Sequence, residues 1–359
     1  MKILSVAGTR PQLVKVAPVS RELRKHVKEV LVNTGQHYDY NMAGVFFDEL
    51  HIPKPDYDLG IGSASHGKQT GEMLNKIEEV IFKEKPDAVL VYGDTNSTLA
   101  GALAASKLHI PLIHVEAGLR SYNKRMPEEI NRVLTDHVSN ILFAPTEKAI
   151  ENLRKESIVE NVFNVGDVMY DAFLYNSVIA EKTYSLEKFG IEPKKYLLAT
   201  IHRAENTDSR ERLSAIFESF AQLEDIVFLP LHPRTKHKLE QYRLIEMVQK
   251  TDHIKVVEPV SYLEMLLIEK YAKAIVTDSG GVQKEAYFAN VPCLTLRNET
   301  EWVETVEVGC NRLVDPLEED LARVISQFQP TDFSVPLFGD GKASEKIAKI
   351  TVNFLHFKE

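Results

Sequence analysis

Two of the 359 residues are cysteine and one is tryptophan. Two thiols, Cys293 and Cys310, cannot build a disulfide framework, which excludes a stapled secreted scaffold and points to a reducing compartment. No run of about 18 apolar residues occurs, so no membrane-spanning helix is expected. The opening Met1-Lys2-Ile3-Leu4-Ser5-Val6-Ala7 offers one lysine and too short an apolar stretch for a secretory signal. Positive charge is also in deficit: 43 Lys+Arg against 52 Asp+Glu leave a formal charge of −9. Such a chain lacks the basic face of a nucleic-acid binder. An anionic ligand would have to be held by a few placed cations. What is present is ordinary globular composition, and at about 100–200 residues per domain the length suits two domains. The expectation is a cytoplasmic two-domain protein with no nucleic-acid or membrane partner.

Short β-rich apolar runs alternate with helical patterns throughout. Strands are expected at Lys2–Ala7, Val27–Asn33, Ala88–Tyr92, Leu112–Val115, Ile141–Ala144 and Val162–Val165. Between them, segments such as Gln69–Lys83 and Ser97–Lys107 carry apolar residues three and four apart. This alternation means βαβ units and parallel sheets. The pattern weakens into a charged stretch around Ile179–Lys195, the expected linker. It restarts with strands at Tyr196–Ile201, Ile226–Leu231, Ile254–Val257, Ala274–Thr277 and Cys293–Leu296, and a last helix covers Lys342–His356. No repeat or low-complexity tract appears. The reading is α/β, with two doubly wound domains.

In open α/β sheets ligands bind beyond the carboxyl ends of the strands. Here those ends carry Gly8-Thr9-Arg10-Pro11 with Lys15 a turn later, then Gly35-Gln36-His37, Asp94 and Glu116. In the second half they carry His202-Arg203, His232-Pro233-Arg234, Asp278-Ser279-Gly280-Gly281 and Arg297. So many polar ends point to an active cleft between the domains. Asp278 to Glu285 reads as a strand end, two glycines and a helix start, which suits an anion at the helix N-terminus. Glu285, a turn further on, could accept hydrogen bonds from sugar hydroxyls; the plainer reading is a cap by Ser279. Asp94, Glu116 and the pair Glu128-Glu129 are the carboxylates to weigh for acid–base work. Pro127 before that pair also fits first-turn helix chemistry, the reading favoured for Glu129. Arg132 lies within helical ion-pair reach of Glu128.

Other signals fail. Gly62 to Gln69 nearly spells a phosphate loop but has Gln69 where Ser or Thr is needed. Gly60-Ile61-Gly62-Ser63-Ala64-Ser65 lacks the third glycine of the dinucleotide fingerprint. Tyr184 and Lys188 match a short-chain dehydrogenase pair without its glycine loop. His114-Val115-Glu116 has no companion ligands for a metal. There is no nucleophile elbow.

Taken together, Gly8-Thr9-Arg10-Pro11 with Lys15, Thr34-Gly35-Gln36-His37, Tyr92-Gly93-Asp94-Thr95-Asn96-Ser97 and His114-Val115-Glu116-Ala117-Gly118-Leu119-Arg120 form an ordered set. It continues in Met126-Pro127-Glu128-Glu129-Ile130-Asn131-Arg132, His202-Arg203-Ala204-Glu205-Asn206, Leu231-His232-Pro233-Arg234 and Thr277 to Ala286. Over essentially its whole length the chain resembles the non-hydrolysing UDP-N-acetylglucosamine 2-epimerase family. The resemblance implies a glycosyltransferase-B-like fold of two Rossmann-like domains. Residues 1–178 would form the first, with a C-terminal helix over 342–359 packing back on it, and 190–341 the second, UDP-binding domain. It also implies a homodimer, no redox cofactor and no metal. The implied reaction is anti elimination of UDP to 2-acetamidoglucal and re-addition on the other face. Asp94, Glu116 and Glu128, with His202, are then the implied catalytic residues. Arg10, Lys15, Arg132, His232, Ser279, Gly280, Gly281 and Glu285 are the implied substrate ligands. Gln36, His37 and Gln69 are candidates for a second, activating UDP-sugar.

Three departures stand out. Position 12 is Gln where many members have Glu. The family's Thr-Glu-Arg-Pro-Glu is Thr300-Glu301-Trp302-Val303-Glu304, so its Arg falls on Trp302. Val165-Gly166-Asp167-Val168-Met169 replaces Val-Gly-Asn-Thr. These features resemble the subgroup acting on UDP-2,3-diacetamido-2,3-dideoxy-glucuronate, which competes with UDP-N-acetylglucosamine as substrate. A glycosyltransferase-B-type transferase is the further alternative.

Overall fold

The computed structural model describes residues 1–35 and 49–356. The chain divides into two compact units, Met1–Leu174 with Leu337–Glu359, and Tyr175–Pro336. The division falls inside the helix Val168–Thr183, which runs into the segment expected as linker and is followed by a short 3₁₀ turn, Leu186–Phe189.

In the first unit the described strands are β1 (Lys2–Ala7), β2 (Lys28–Asn33), β3 (Tyr57–Asp58), β4 (Ala88–Tyr92), β5 (Leu112–Val115), β6 (Ile141–Ala144) and β7 (Val162–Asn164). They form one parallel sheet in the order β3-β2-β1-β4-β5-β6-β7. The inner strands are buried along their length, as continuous apolar runs covered on both faces require. The last helix, described over Ala343–His356, packs on the helix Arg10–Leu23. Asp171 anchors its start, accepting the Ala343 and Ser344 N–H groups at 3.1 and 2.8 Å. Burial pushes the Asp171 carboxyl up, against those hydrogen bonds.

The second unit holds β8 (Tyr196–Thr200), β9 (Ile226–Pro230), β10 (Ile254–Val257), β11 (Ala274–Thr277), β12 (Cys293–Thr295) and β13 (Asn311–Leu313) among its described residues. They too are parallel, ordered β10-β9-β8-β11-β12-β13. Both sheets are thus doubly wound, with the order reversing beside β1/β4 and β8/β11. The strands expected from the sequence are found within a residue or two. The edge strands β3 and β13 were not expected: two or three residues paired on one side carry no readable alternation.

Candidate functional site

In each unit many of the sequence-marked residues among those described stand just beyond the carboxyl ends of the strands at or beside its reversal point. In the first unit, β1 passes through Gly8 and Thr9 into the helix Arg10–Leu23. Gln12 in its first turn is 1 % exposed. It accepts the Gly8 N–H at 2.8 Å and donates to the Tyr92 carbonyl and Thr98 Oγ1 at 2.8 and 2.9 Å. The amide therefore ties the end of β1 to the end of β4. A carboxylate could accept but not donate, which is a physical reason for Gln at this position. Gln12→Glu is expected to cost about 2 kcal/mol by leaving the Tyr92 acceptor facing an anion, read as a lower urea midpoint at unchanged slope.

Lys15 lies one turn on and pairs with Glu116 at the end of β5; both residues are buried. The pair closes over Gly93, whose Cβ, were there one, would meet Lys15 Nζ at 3.1 Å and Glu116 Oε2 at 3.2 Å. Gly93 also has φ +62°, a backbone conformation that favours glycine and strains other side chains whatever the space. Glu116 itself sits at φ +71°, an uncommon conformation for a side chain of its size. A carboxylate held against its backbone preference, beside a buried lysine, is typical of functional sites. Asp94, next to Gly93, pairs with Arg132, whose other arm reaches Glu129 at 3.1 Å. The Asp94 side chain is 29 % exposed against 7 % for Glu116, so the two carboxylates occupy unlike environments.

Amides hold the Asp94 turn from the other side. Asn131 donates to the Asp94 carbonyl at 2.9 Å and to Asn96 Oδ1 at 3.2 Å. Asn96 in turn donates to Gln69 Oε1 at 2.8 Å, and Gln69 to the Gly62 carbonyl at 3.0 Å. Gln69 is thereby engaged by the turn that carries Asp94. Gln36 and His37, named with it above, lie outside the described residues. Glu128 is exposed and makes no ion pair among the described residues. Glu129 is buried instead, accepting the Ser121 and Tyr122 N–H groups at 2.9 Å each. The first-turn helix reading of Glu129 missed this tertiary anchor.

A buried charged network lies under the same turn. His114 Nε2 donates to the Gly93 carbonyl at 2.8 Å, and its Nδ1 lies 2.7 Å from Asp136. Asp136 also accepts from Arg120 at 2.7 Å and from the Gly118 N–H at 3.1 Å. Arg120 completes the chain with a two-point pair to Glu156, both contacts at 2.7 Å. Burial pushes the Asp136 carboxyl up, but His114 and Arg120 outweigh it and hold the group below the usual carboxylate range.

In the second unit Asp278, fully buried at the end of β11, organises the end of β8. It accepts the His202 and Arg203 N–H groups at 3.1 and 3.0 Å and the Asn206 amide at 3.1 Å. Its Oδ1 also lies 3.3 Å from His202 Nδ1. The His202 and His232 rings lie 5.6 Å apart. His232 caps the helix Pro233–Gln241, its Nδ1 accepting the Arg234 N–H at 3.1 Å. Burial, then the neighbouring His202 and Arg234, lowers the His232 pKa and favours the neutral ring. Ser279, Gly280 and Gly281 open the helix Gly280–Phe288. A Cβ on Gly280 would meet Glu301 Oε1 at 2.4 Å, so only glycine lets Glu301, itself paired with Arg297 at 3.1 Å, reach the helix start.

Two departures now have structural accounts. Trp302 is buried with Lys284 Nζ 4.1 Å from its ring centre, a cation–π contact on the helix that follows Ser279. Asp167 accepts the Met169 N–H at 2.8 Å and caps the helix Val168–Thr183, as an asparagine could. Among the described residues no His, Cys, Asp and Glu group could hold a metal ion, and no helix is long and apolar enough to cross a membrane. Sequence reasoning did not single out Asp136, Asn96 or Asn131 as supports. The Asp136-His137 dyad in an amphipathic helix was a signal, but nothing local names its partners.

Residues 21–352 match the family model described as UDP-N-acetylglucosamine 2-epimerase. A UDP-N-acetylglucosamine 2-epimerase homolog of Methanococcus maripaludis is 57% identical over 356 residues, spanning 98% of this chain and 100% of that protein. The UDP-2,3-diacetamido-2,3-dideoxy-D-glucuronate 2-epimerase of Pseudomonas aeruginosa is 49% identical over 361 residues, 97% of this chain and 99% of its own. The crystal structure of Methanocaldococcus jannaschii UDP-GlcNAc 2-epimerase in complex with UDP-GlcNAc and UDP superposes with a TM-score of 0.88 at 48% identity, covering 98% and 100% of the two chains.

Proposed function

Because the chain belongs to the UDP-N-acetylglucosamine 2-epimerase family, we propose that it inverts C2 of a UDP-N-acetylamino sugar, converting UDP-N-acetylglucosamine to UDP-N-acetylmannosamine. One observation carries this reading to the residues. Two carboxylates, Asp94 and Glu116, stand at the ends of neighbouring parallel strands, each paired with a cation and in unlike surroundings. The chemistry needs such a pair. No carbonyl acidifies the C2–H, so the C1–O bond to UDP must break as a base takes that proton, leaving the C1=C2 bond of 2-acetamidoglucal. An acid then returns a proton to the opposite face of C2 while UDP re-adds at C1. Groups of unlike environment can hold the two roles.

Asp94, Glu116 and the exposed Glu128 are assigned to proton transfer, with His202 beside the sugar or diphosphate. Arg10 and Lys15 are assigned to the sugar–phosphate region, and Arg132 to the substrate without a finer role. In the second unit Ser279, Gly280 and Gly281 are assigned to the phosphates, Glu285 to the ribose, and His232 to the substrate without a finer role. The helix N-terminus behind Ser279 supports an anion there. The exposed Ile130 and Leu134, four residues apart on one helix, support a homodimer, and the buried free thiols Cys293 and Cys310 suit the cytoplasm.

The test is proton exchange. Incubated in deuterated water with UDP-N-acetylglucosamine, the enzyme should place deuterium at C2, seen by proton NMR, and form the manno epimer. Parallel incubation with UDP-2,3-diacetamido-2,3-dideoxy-glucuronate decides between the two substrates, the second being favoured by the 49% identical Pseudomonas aeruginosa relative. Exchange with neither sugar would refute the epimerase reading. Sugar transfer to an added acceptor without C2 exchange would indicate a transferase instead.

A further inference from the structure

His114, on β5, is fully buried, and the reaction above gives it no task. The β4–β5 ladder explains where it stands. Gly93 donates to the Val115 carbonyl at 2.9 Å. In a parallel pair the next rung would run from the Ala117 N–H to the Gly93 carbonyl. The chain turns at Glu116, where φ is +71°, and the Ala117 N–H instead reaches the Phe143 carbonyl on β6 at 3.0 Å. The His114 ring supplies the missing donor, its Nε2 meeting the Gly93 carbonyl at 2.8 Å. Behind the ring, Asp136 of the helix Pro127–Val138 lies 2.7 Å from Nδ1.

That hydrogen bond fixes more than one oxygen. The Gly93–Asp94 peptide is planar, so holding its carbonyl also sets its N–H and the Asp94 Cα. A glycine in front of that peptide offers little resistance of its own to a peptide flip. The next carbonyl, that of Asp94, is held from the same helix by Asn131 at 2.9 Å. We propose that His114, oriented by Asp136, is a positioning residue: it replaces the missing rung and, with Asn131, clamps both peptides that flank Asp94. The Asp94 carboxyl is thereby kept at one place at the end of β4. The inference rests on the assignment of Asp94 to proton transfer and adds how that carboxyl is kept in line. Alignment of this kind is worth much, a displacement of about 1 Å costing about a hundredfold in rate.

Two amides separate positioning from packing. An asparagine amide stands about where Nδ1 of the imidazole was, and a glutamine amide about where Nε2 was. His114→Asn therefore keeps a donor toward Asp136 and loses the one to Gly93, whereas His114→Gln does the reverse. In the full-length protein His114→Asn should lower kcat about a hundredfold with KM within about twofold, and His114→Gln should stay within about threefold of wild type in both. Amide hydrogen exchange read by mass spectrometry should be faster over residues 93–98 in His114→Asn and unchanged in His114→Gln. Equal losses of kcat in the two variants, or wild-type kcat in His114→Asn, would overturn the proposal. Should His114→Asn not melt cooperatively, His114→Gln decides: kcat within about threefold supports the role, and a loss of about a hundredfold overturns it. A wild type without C2 exchange on either sugar would instead refute the proton-transfer assignment, and hydrogen exchange then decides whether His114 holds the turn.

Discussion

Asp94→Asn and Glu116→Gln should each lower kcat by about three orders of magnitude, the range of a lost acid or base. Their stabilities should differ. The Asp94 side chain is part-exposed, and an asparagine can still accept from Arg132, so its melting temperature should hardly move. Glu116 is buried against Lys15, and an amide leaves that ammonium without a countercharge. Glu116→Gln should therefore melt several degrees lower, still in a cooperative transition. Initial rates by coupled assay, set beside melting curves, separate the two effects. Near-normal rates in both variants would remove the carboxylates from the mechanism, whatever the stabilities.

Asp136→Ala should be the most destabilising single change in the first unit. It removes the acceptor shared by His114, Arg120 and the Gly118 N–H, and leaves the buried guanidinium, which also donates to the Leu119 carbonyl, with Glu156 as its one carboxylate among the described residues. Breaking a buried charge network by deleting one member costs about 3–5 kcal/mol. For a unit of this size that lowers the melting temperature by about 10 °C, measured by calorimetry. The Asp136 carboxyl is held below its unfolded value by His114 and Arg120 despite its burial. Its stabilisation is thus present at neutral pH and is lost as acid protonates the folded carboxyl. The gap between wild type and Asp136→Asn should accordingly narrow below about pH 4. A gap that stays constant into acid would mean that Asp136 acts through packing alone.

Much of the molecule was legible before any coordinates. The inner strands declare themselves because a parallel strand covered on both faces must be apolar throughout, as Ala88–Tyr92 is. The edge strands β3 and β13 do not, because one-sided pairing of two or three residues asks nothing of the side chains. Asp94, Glu116, His202 and Ser279 were readable for a related reason: a polar residue directly after an apolar run marks a strand end. Glu129 was read as helix-start chemistry, since its distant partners at Ser121 and Tyr122 follow no helical spacing.

The sequence by itself determined the alternation of strands and helices, the family, and which polar residues end the strands. These are local or ordered properties, carried by apolar periodicity and by motif order along the chain. Only the tertiary structure decided which of those residues meet: Lys15 with Glu116 across 101 positions, Arg132 with Asp94 across 38, and Asp278 under His202 across 76. It alone set Glu116 at a positive φ. The reason is physical. Charge pairing and burial depend on distance in space, and the sheet order, not the order of the residues, sets that distance.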